Sequence, residues 1–303
     1  MKKMIKALTA VTLCAVLALG GCSGGSEPGK VTVPRTAAPT EYKLTESKDA
    51  GNSGDVKLEK GDIYAVISVK NFGDIKVKLY PDLVPYGVYN FVELANSGVY
   101  NGRNFHRIVE NFMIQGGSES GDGAGGKDID GGSFKNEVNT SLRHYYGALC
   151  FASNAIGDLS DGFYIVNSKK PQDDLDYVYN KVAENSAKEY QYAQAILQSI
   201  TPDIENYQKI KTTYESKLAY NEQSFYGVAA MYNNITDEVR KTYTEKGGKA
   251  ELDGCYTVFG QTVEGFDVID KITAVEKTTG NDGDESKPVK EIIIDKIEIF
   301  TME

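Results

Sequence analysis

The chain has 303 residues, with 33 Lys and Arg against 43 Asp and Glu and a formal net charge of −10. An acidic chain without a basic cluster argues against nucleic acid as a partner and against electrostatic adhesion to anionic lipid. Its two histidines, His106 and His144, lie far apart and lack metal-ligand spacing, so structural hydrogen bonding is their default role and neither a metal nor a cofactor is expected.

The N-terminus carries Lys2, Lys3 and Lys6, an apolar run from Ala7 to Leu19, and then Gly20-Gly21-Cys22. A basic start, an apolar run too short to span comfortably and small residues before a break are the parts of an export signal. Leu19-Gly20-Gly21-Cys22 is similar to the bacterial lipoprotein box, which implies a signal peptide at 1–21 and acylation of Cys22. Two acyl chains give anchoring that one does not. The expected location is therefore extracytoplasmic, lipid-anchored to the cell membrane. Removal of the leader takes three lysines and no acid, leaving a still more acidic remainder. Residues 22–57 are poor in large apolar groups and rich in Gly, Ser, Thr, Pro and Lys, which predicts a flexible tether. Of the four cysteines, Cys150 and Cys255 remain in the folded part, either as a disulfide or as two buried thiols.

The folded domain is expected over 58–303. Asp62 to Val69 is β-branched and aromatic, as a strand should be. Asn71-Phe72-Gly73-Asp74 reads as a turn. Ile75 to Tyr80 alternates apolar and charged residues, as a strand with one wet face does. After Pro81 to Pro85, helical spacing at Val88, Phe91, Val92 and Ala95 ends at Gly98.

The most informative stretch follows, Asn104 to Gly126 (NFHRIVENFMIQGGSESGDGAGG). It sets Arg107 beside Phe105 and His106, then Phe112-Met113-Ile114 before Gln115. A guanidinium and an amide among apolar residues suggest a small apolar pocket with a few fixed polar groups. Gly123, Gly125 and Gly126 suggest a loop with positive φ or close backbone approach. Taken singly, Phe105, Phe112 and Met113 are ordinary core residues and Arg107 a surface charge; it is their order that is specific.

This stretch resembles the signature of the cyclophilin family of peptidyl-prolyl isomerases, F-H-R-hydrophobic, then F-M-x-Q-G-G and a G-x-G-G loop. Phe134-Lys135-Asn136-Glu137, His144 to Ser153, Asp161 to Ile165, Leu252 to Gly260 and Val263 to Ile272 are similar to later family segments. The resemblance covers about 61–167 and 251–300. It implies a mainly β fold, a closed eight-stranded antiparallel barrel with two capping helices. It also implies Arg107 as the donor to the proline nitrogen, Phe112 in the proline hole and Gln115 orienting Arg107. Phe105, Met113, Phe151, Ala152, Ser153, Tyr164 and Tyr256 are implied as substrate contacts. Strict strand alternation would place Phe112 and Met113 on opposite faces, so only the resemblance puts both in one pocket. The chain departs from the pattern at Phe151 (usually Met), Gly162 (Gln), Tyr164 (Phe), Tyr256 (often His) and Glu251 (frequently Trp).

Residues 171–250 interrupt the resemblance. Leu175 to Leu197 lacks Gly and Pro and favours helix. Thr201-Pro202-Asp203 reads as a cap for a helix carrying Ile204, Tyr207, Lys211, Tyr214 and Leu218 on one face. Thr236 opens another helix and Gly247-Gly248 ends it. Three or four antiparallel helices are expected. Their many tyrosines suit a small bundle core first, and a groove for unfolded polypeptide second.

The expected function is peptidyl-prolyl cis-trans isomerisation assisting exported proteins. The partners are proline-containing unfolded polypeptides and, through the anchor, the membrane; a monomer is expected. Retention of Arg107, Phe112 and Gln115 favours the enzyme. Gly162, Tyr256 and Glu251 favour the alternative, a catalytically weak or inactive peptide-binding chaperone or surface lipoprotein on the same barrel.

Overall fold

The computed structural model describes residues 30–154 and 157–303. The expected leader and Cys22 lie outside the described residues. In chain order the elements begin with β1 (Lys43–Thr45), β2 (Ile63–Val69), β3 (Gly73–Leu79) and α1 (Pro85–Asn96). Next come β4 (Asn104–Val109), β5 (Met113–Gly116), β6 (Phe134–Lys135), β7 (Glu137–Asn139), β8 (Ala148–Ser153) and β9 (Asp158–Val166). The helices α2 (Leu175–Ser199), α3 (Tyr207–Asn233) and α4 (Asp237–Lys246) follow. Then come β10 (Val258–Glu264), α5 (Phe266–Thr273), β11 (Lys277–Thr279), β12 (Glu285–Pro288) and β13 (Ile292–Thr301).

Eight strands run in the order β5-β4-β13-β2-β3-β10-β8-β9, and β9 pairs back onto β5. The sheet is antiparallel throughout and closes on itself, leaving no unpaired edge in the ring. Short β6 adds to β9 outside the ring. Alternation sets the interior: Ala65, Ile67 and Val69 of β2 and Ile75, Val77 and Leu79 of β3 all face the core. The helix α1 starts on Pro85, whose missing N–H costs nothing at the first helical position. It packs Phe91 against Tyr100, Phe163 and Phe259 at centroid distances of 5.1–5.8 Å. On α5, Val268, Ile269 and Ile272 are buried against the strands.

Residues 31–57 are not a free tether. Val33 is buried, β1 pairs in parallel with β7, and the Tyr42 hydroxyl donates to the Gly254 carbonyl at 2.7 Å. Asn52, 1% exposed, donates to the Arg143 carbonyl at 2.7 Å and accepts from its backbone N–H at 2.9 Å. Composition weighs only the apolar surface a segment brings. This one is ordered by backbone pairing and buried amide bonds to the barrel.

In the helical segment, Asp174 caps α2 by accepting from the Tyr177 N–H, and Thr236 caps α4 by accepting from that of Val239. Thr201-Pro202-Asp203 does not cap a helix. It belongs to a turn in which Thr201 O accepts from Ile204 N, and α3 starts only at Tyr207, after Asn206 in left-handed conformation. Ile204 therefore falls off the helix face and is exposed. A second apolar cluster joins the helices to the barrel: Leu175, Tyr179, Val228, Met231, Val239 and Tyr243 pack with Val138, Tyr145 and Cys255. Tyr177, Tyr192 and Tyr226 stay exposed, so only part of the tyrosine set is core. Cys150 and Cys255 are two free, buried thiols.

Candidate active site

A bulge turns the key cation outward. Phe105 pairs with Gly116 and Arg107 pairs with Gln115, so β4 spends two residues where β5 spends one. His106 is the extra residue, and it inverts the alternation. Phe105 and Ile108 both point into the barrel, fully buried, while Arg107 faces the outer wall. There the pairings Arg107–Gln115, Gln115–Tyr164 and Tyr164–Cys150 make one row across β4, β5, β9 and β8.

Above this row lies a cavity of about 140 Å³. It is lined by Arg107, Phe112, Met113, Gln115, Ala152, Ser153, Tyr164, Leu252 and Tyr256. Phe112 and Met113 share it because strand alternation does not apply to them: β5 begins at Met113, and Phe112 belongs to the turn before it, after Asn111 at φ +57°. The Phe112 backbone N–H donates to Asn167 Oδ1 at 2.7 Å, which fixes the ring's place.

The guanidinium of Arg107 is aimed into the cavity. Its carbon lies 5.8 Å from the Phe112 ring centroid, and Nη1 lies 4.0 Å from Met113 Sδ. Its Nε–H donates to Asp282 Oδ2 at 2.7 Å. Asp282 sits in the loop between β11 and β12 and accepts on Oδ1 from the Ser286 hydroxyl at 2.7 Å and from the Asp284 N–H at 3.1 Å. The Arg107 hydrogen bond, foremost, pulls the Asp282 carboxyl down to about 2. The orienting group is thus Asp282 and not Gln115. Gln115 is Arg107's cross-strand partner, and its half-buried amide faces both this cavity and a neighbouring one of about 330 Å³ under the glycine loop.

Two other implied contacts fall elsewhere. Phe105 and Phe151 are barrel core, both 0% exposed. Phe151 stacks on Phe259 at 4.2 Å on the inner face, because Phe151 and Phe163 are paired and share a side. Glu251 turns to Gln172 and pairs with Lys249, and the adjacent Leu252 lines the cavity instead. Gly162 opens the second cavity, since a Cβ there would meet only Ala152 at 3.7 Å. Gly123, Gly125 and Gly126 all have positive φ, and a Cβ on Gly126 would collide with Asp161 Oδ1.

Tyr164 and Tyr256 carry hydroxyls on the cavity wall. Tyr164 Oη lies 3.1 Å from His144 Nε2, whose Nδ1 lies 2.8 Å from Asp253 Oδ1. Burial alone would raise the Asp253 carboxyl, but the His144 hydrogen bond and charge, Arg143 and Tyr179 outweigh it and hold it low. Burial pushes the Cys150 thiol well up, and the thiolate, not the thiol, is the reactive form. Among the described residues no three His, Cys, Asp or Glu side chains gather as a metal site. The arrangement offers a small cavity with Phe112, Met113 and Leu252 among its walls, a fixed guanidinium, an amide and several hydroxyls.

The closed antiparallel barrel thus carries on its outer wall a small hollow bounded by Phe112, Met113 and Leu252, with the Arg107 guanidinium beside it. The chain belongs to the cyclophilin type peptidyl-prolyl cis-trans isomerase/CLD family, which matches residues 64–196 and 198–299. It is similar to "Putative peptidyl-prolyl cis-trans isomerase" of Staphylococcus aureus (strain COL), 28% identical over 248 residues, covering 80% of this chain and 94% of that one. The protein of the same name from Staphylococcus haemolyticus (strain JCSC1435) is 28% identical over 229 residues, covering 76% and 87%. Among solved structures, a Cryptosporidium parvum cyclophilin type peptidyl-prolyl cis-trans isomerase matches with a TM-score of 0.49 and 21% identity, covering 80% of this chain and 99% of that one.

Proposed function

We propose that the chain isomerises X-Pro bonds in exported polypeptides by binding the twisted bond at Arg107, while an acyl chain on Cys22 holds it at the outer face of the cell membrane. Resonance gives the peptide bond a rotation barrier of about 18–20 kcal/mol. When the bond twists, the nitrogen lone pair leaves the amide and becomes a hydrogen-bond acceptor. A donor that meets it only in that geometry lowers the barrier without tightening the planar states. Arg107 supplies this donor. Its Nε is committed to Asp282, and its terminal amino groups remain at the cavity. The guanidinium stays charged at every working pH. Phe112, Met113, Leu252 and Tyr164 take the pyrrolidine ring, and Gln115 reaches the flanking backbone. No proton is relayed and no covalent bond forms.

The observation that carries this reading is the Arg107 guanidinium set over the cavity by Asp282. A proline-isomerisation assay on the chain and on Arg107→Ala tests it: a drop of at least about tenfold is expected, corresponding to 1.4 kcal/mol of barrier. Equal rates would favour a peptide-binding role without catalysis. Export and anchoring rest on the leader and Cys22. The wild-type chain should partition to the membrane and Cys22→Ala should not; equal partition would remove the anchor.

A further inference from the structure

The helical segment 171–250 meets the barrel through charged and hydroxyl groups at the back of the proline cavity. Asp253, fully buried, accepts from the Tyr179 hydroxyl of α2 at 2.6 Å and from the Tyr243 hydroxyl of α4 at 2.6 Å. Its other oxygen accepts from the His144 backbone N–H at 2.8 Å and faces His144 Nδ1 at 2.8 Å. The far nitrogen of the same ring meets the Tyr164 hydroxyl at 3.1 Å, and the two rings stack with 14° between planes. The other hydroxylated wall, Tyr256, stands edge-on to the same His144 ring, with centroids 6.5 Å apart. Arg143, also fully buried, donates to the Met231 and Asn234 carbonyls at 3.0 and 3.1 Å, tying the end of α3 to the same centre.

We propose that the helical segment is a positioning element of the isomerase site, setting Tyr164 through Tyr179, Tyr243, Asp253 and His144. An imidazole with one nitrogen fixed by a carboxylate presents the other in a defined tautomer and orientation. That nitrogen fixes the Tyr164 hydroxyl, and with it the tilt of the ring that forms the cavity wall. A hydroxyl removed from α2 or α4 frees the carboxylate to shift, and the shift passes to the wall. Tyr179 and Tyr243 touch no substrate; they act through the wall that Tyr164 forms.

The inference takes the cavity as the proline site, and its test separates the two ideas. Tyr179→Phe/Tyr243→Phe is made in the full chain, alone and together with Tyr164→Phe. Affinity for a fluorescent Ala-Pro tetrapeptide, isomerisation and thermal midpoint are read on each. The double variant should weaken peptide affinity about threefold to tenfold, the scale of one hydrogen bond. In the Tyr164→Phe background the same pair should change affinity less than about twofold, while its cost to the thermal midpoint persists. A purely structural role moves the midpoint equally in both backgrounds and leaves no coupling in affinity, and that result overturns the proposal. A wild-type chain that neither binds nor isomerises the peptide overturns it together with the isomerase reading. If the double variant does not fold, Tyr243→Phe alone, read with and without Tyr164→Phe, decides by the same criterion.

Discussion

Arg107 Nε and Asp282 Oδ2 lie 2.7 Å apart, joining a strand of the barrel to a loop 175 residues further along the chain. The pair is about a quarter exposed on each side, so its use is directional and its contribution to stability is small. A bond at Nε leaves the guanidinium plane fixed with its terminal nitrogens forward. Asp282→Ala should therefore lower kcat/KM about threefold to tenfold, the lower part of the range for a charge-assisted bond, with the thermal midpoint within about 2 °C of wild type. Asp282→Asn keeps an acceptor and should recover part of the loss. Unchanged kcat/KM in Asp282→Ala would show that the loop does not aim the arginine.

Asp282 of this pair and the neighbouring His106 lose their stabilising contribution on acidification, in separate windows. Burial, foremost, lowers the His106 imidazole below its ordinary 6.5. The unfolded chain then binds the proton more readily, so stability falls as pH drops through about 6.5 toward the lower folded value. The Asp282 carboxyl is held down at about 2, so its contribution is complete above the ordinary value near 3.8 and is lost only as pH falls from there toward 2. Urea midpoints between pH 7 and 5 should slope in wild type and flatten in His106→Asn, and Asp282→Asn should leave that slope unchanged. A slope identical in wild type and His106→Asn would assign it to other groups.

Arg143 and Asp253 are both fully buried, with Nη1 and Oδ2 3.5 Å apart. Their remaining groups are satisfied by tyrosines, carbonyls and backbone N–H, apart from Arg143 Nε, which has no partner. Removal of one charge from such a pair strands the other, a cost of about 3–5 kcal/mol. Asp253→Ala should therefore lose that much in urea unfolding. A loss below about 1 kcal/mol would mean that water reaches Arg143 once its partner is gone.

Burial, foremost, pushes the Cys255 thiol up to about 12 and the Cys150 thiol well up. In a chain beginning at residue 30, a thiol reagent at pH 8 should find almost no reactive cysteine while the protein is native. Two should react after denaturation without reductant. Fewer than two after denaturation would indicate a disulfide.

The motif residues were readable because they lie close together in the chain. Arg107, Phe112, Met113 and Gln115 come from one stretch on β4, the turn and β5, and one cavity holds all four. What the pattern hid is parity. The bulge at His106 sends Phe105 inward, and the pairing of Phe151 with Phe163 does the same on β8. Asp282 was invisible because nothing about a Gly-Asn-Asp-Gly turn says which distant cation it meets. Residues 31–57 were misread because order there comes from partners that composition does not include. The hydroxyls of Tyr164 and Tyr256 stood out as departures from the family pattern, but the chain of contacts from Tyr164 through His144 and Asp253 to Tyr179 and Tyr243 became evident only in three dimensions.

The most direct measurement separates binding from turnover at Arg107. NMR exchange spectroscopy on an Ala-Pro peptide gives the on-enzyme cis-trans rate, and a titration in the same samples gives Kd. The proposed role, in which the guanidinium meets the proline nitrogen only in the twisted state, predicts that Arg107→Ala changes Kd less than about threefold while the on-enzyme rate falls at least about tenfold. An on-enzyme rate equal to wild type, or a rate lost only in proportion to Kd, would contradict a transition-state role for this arginine.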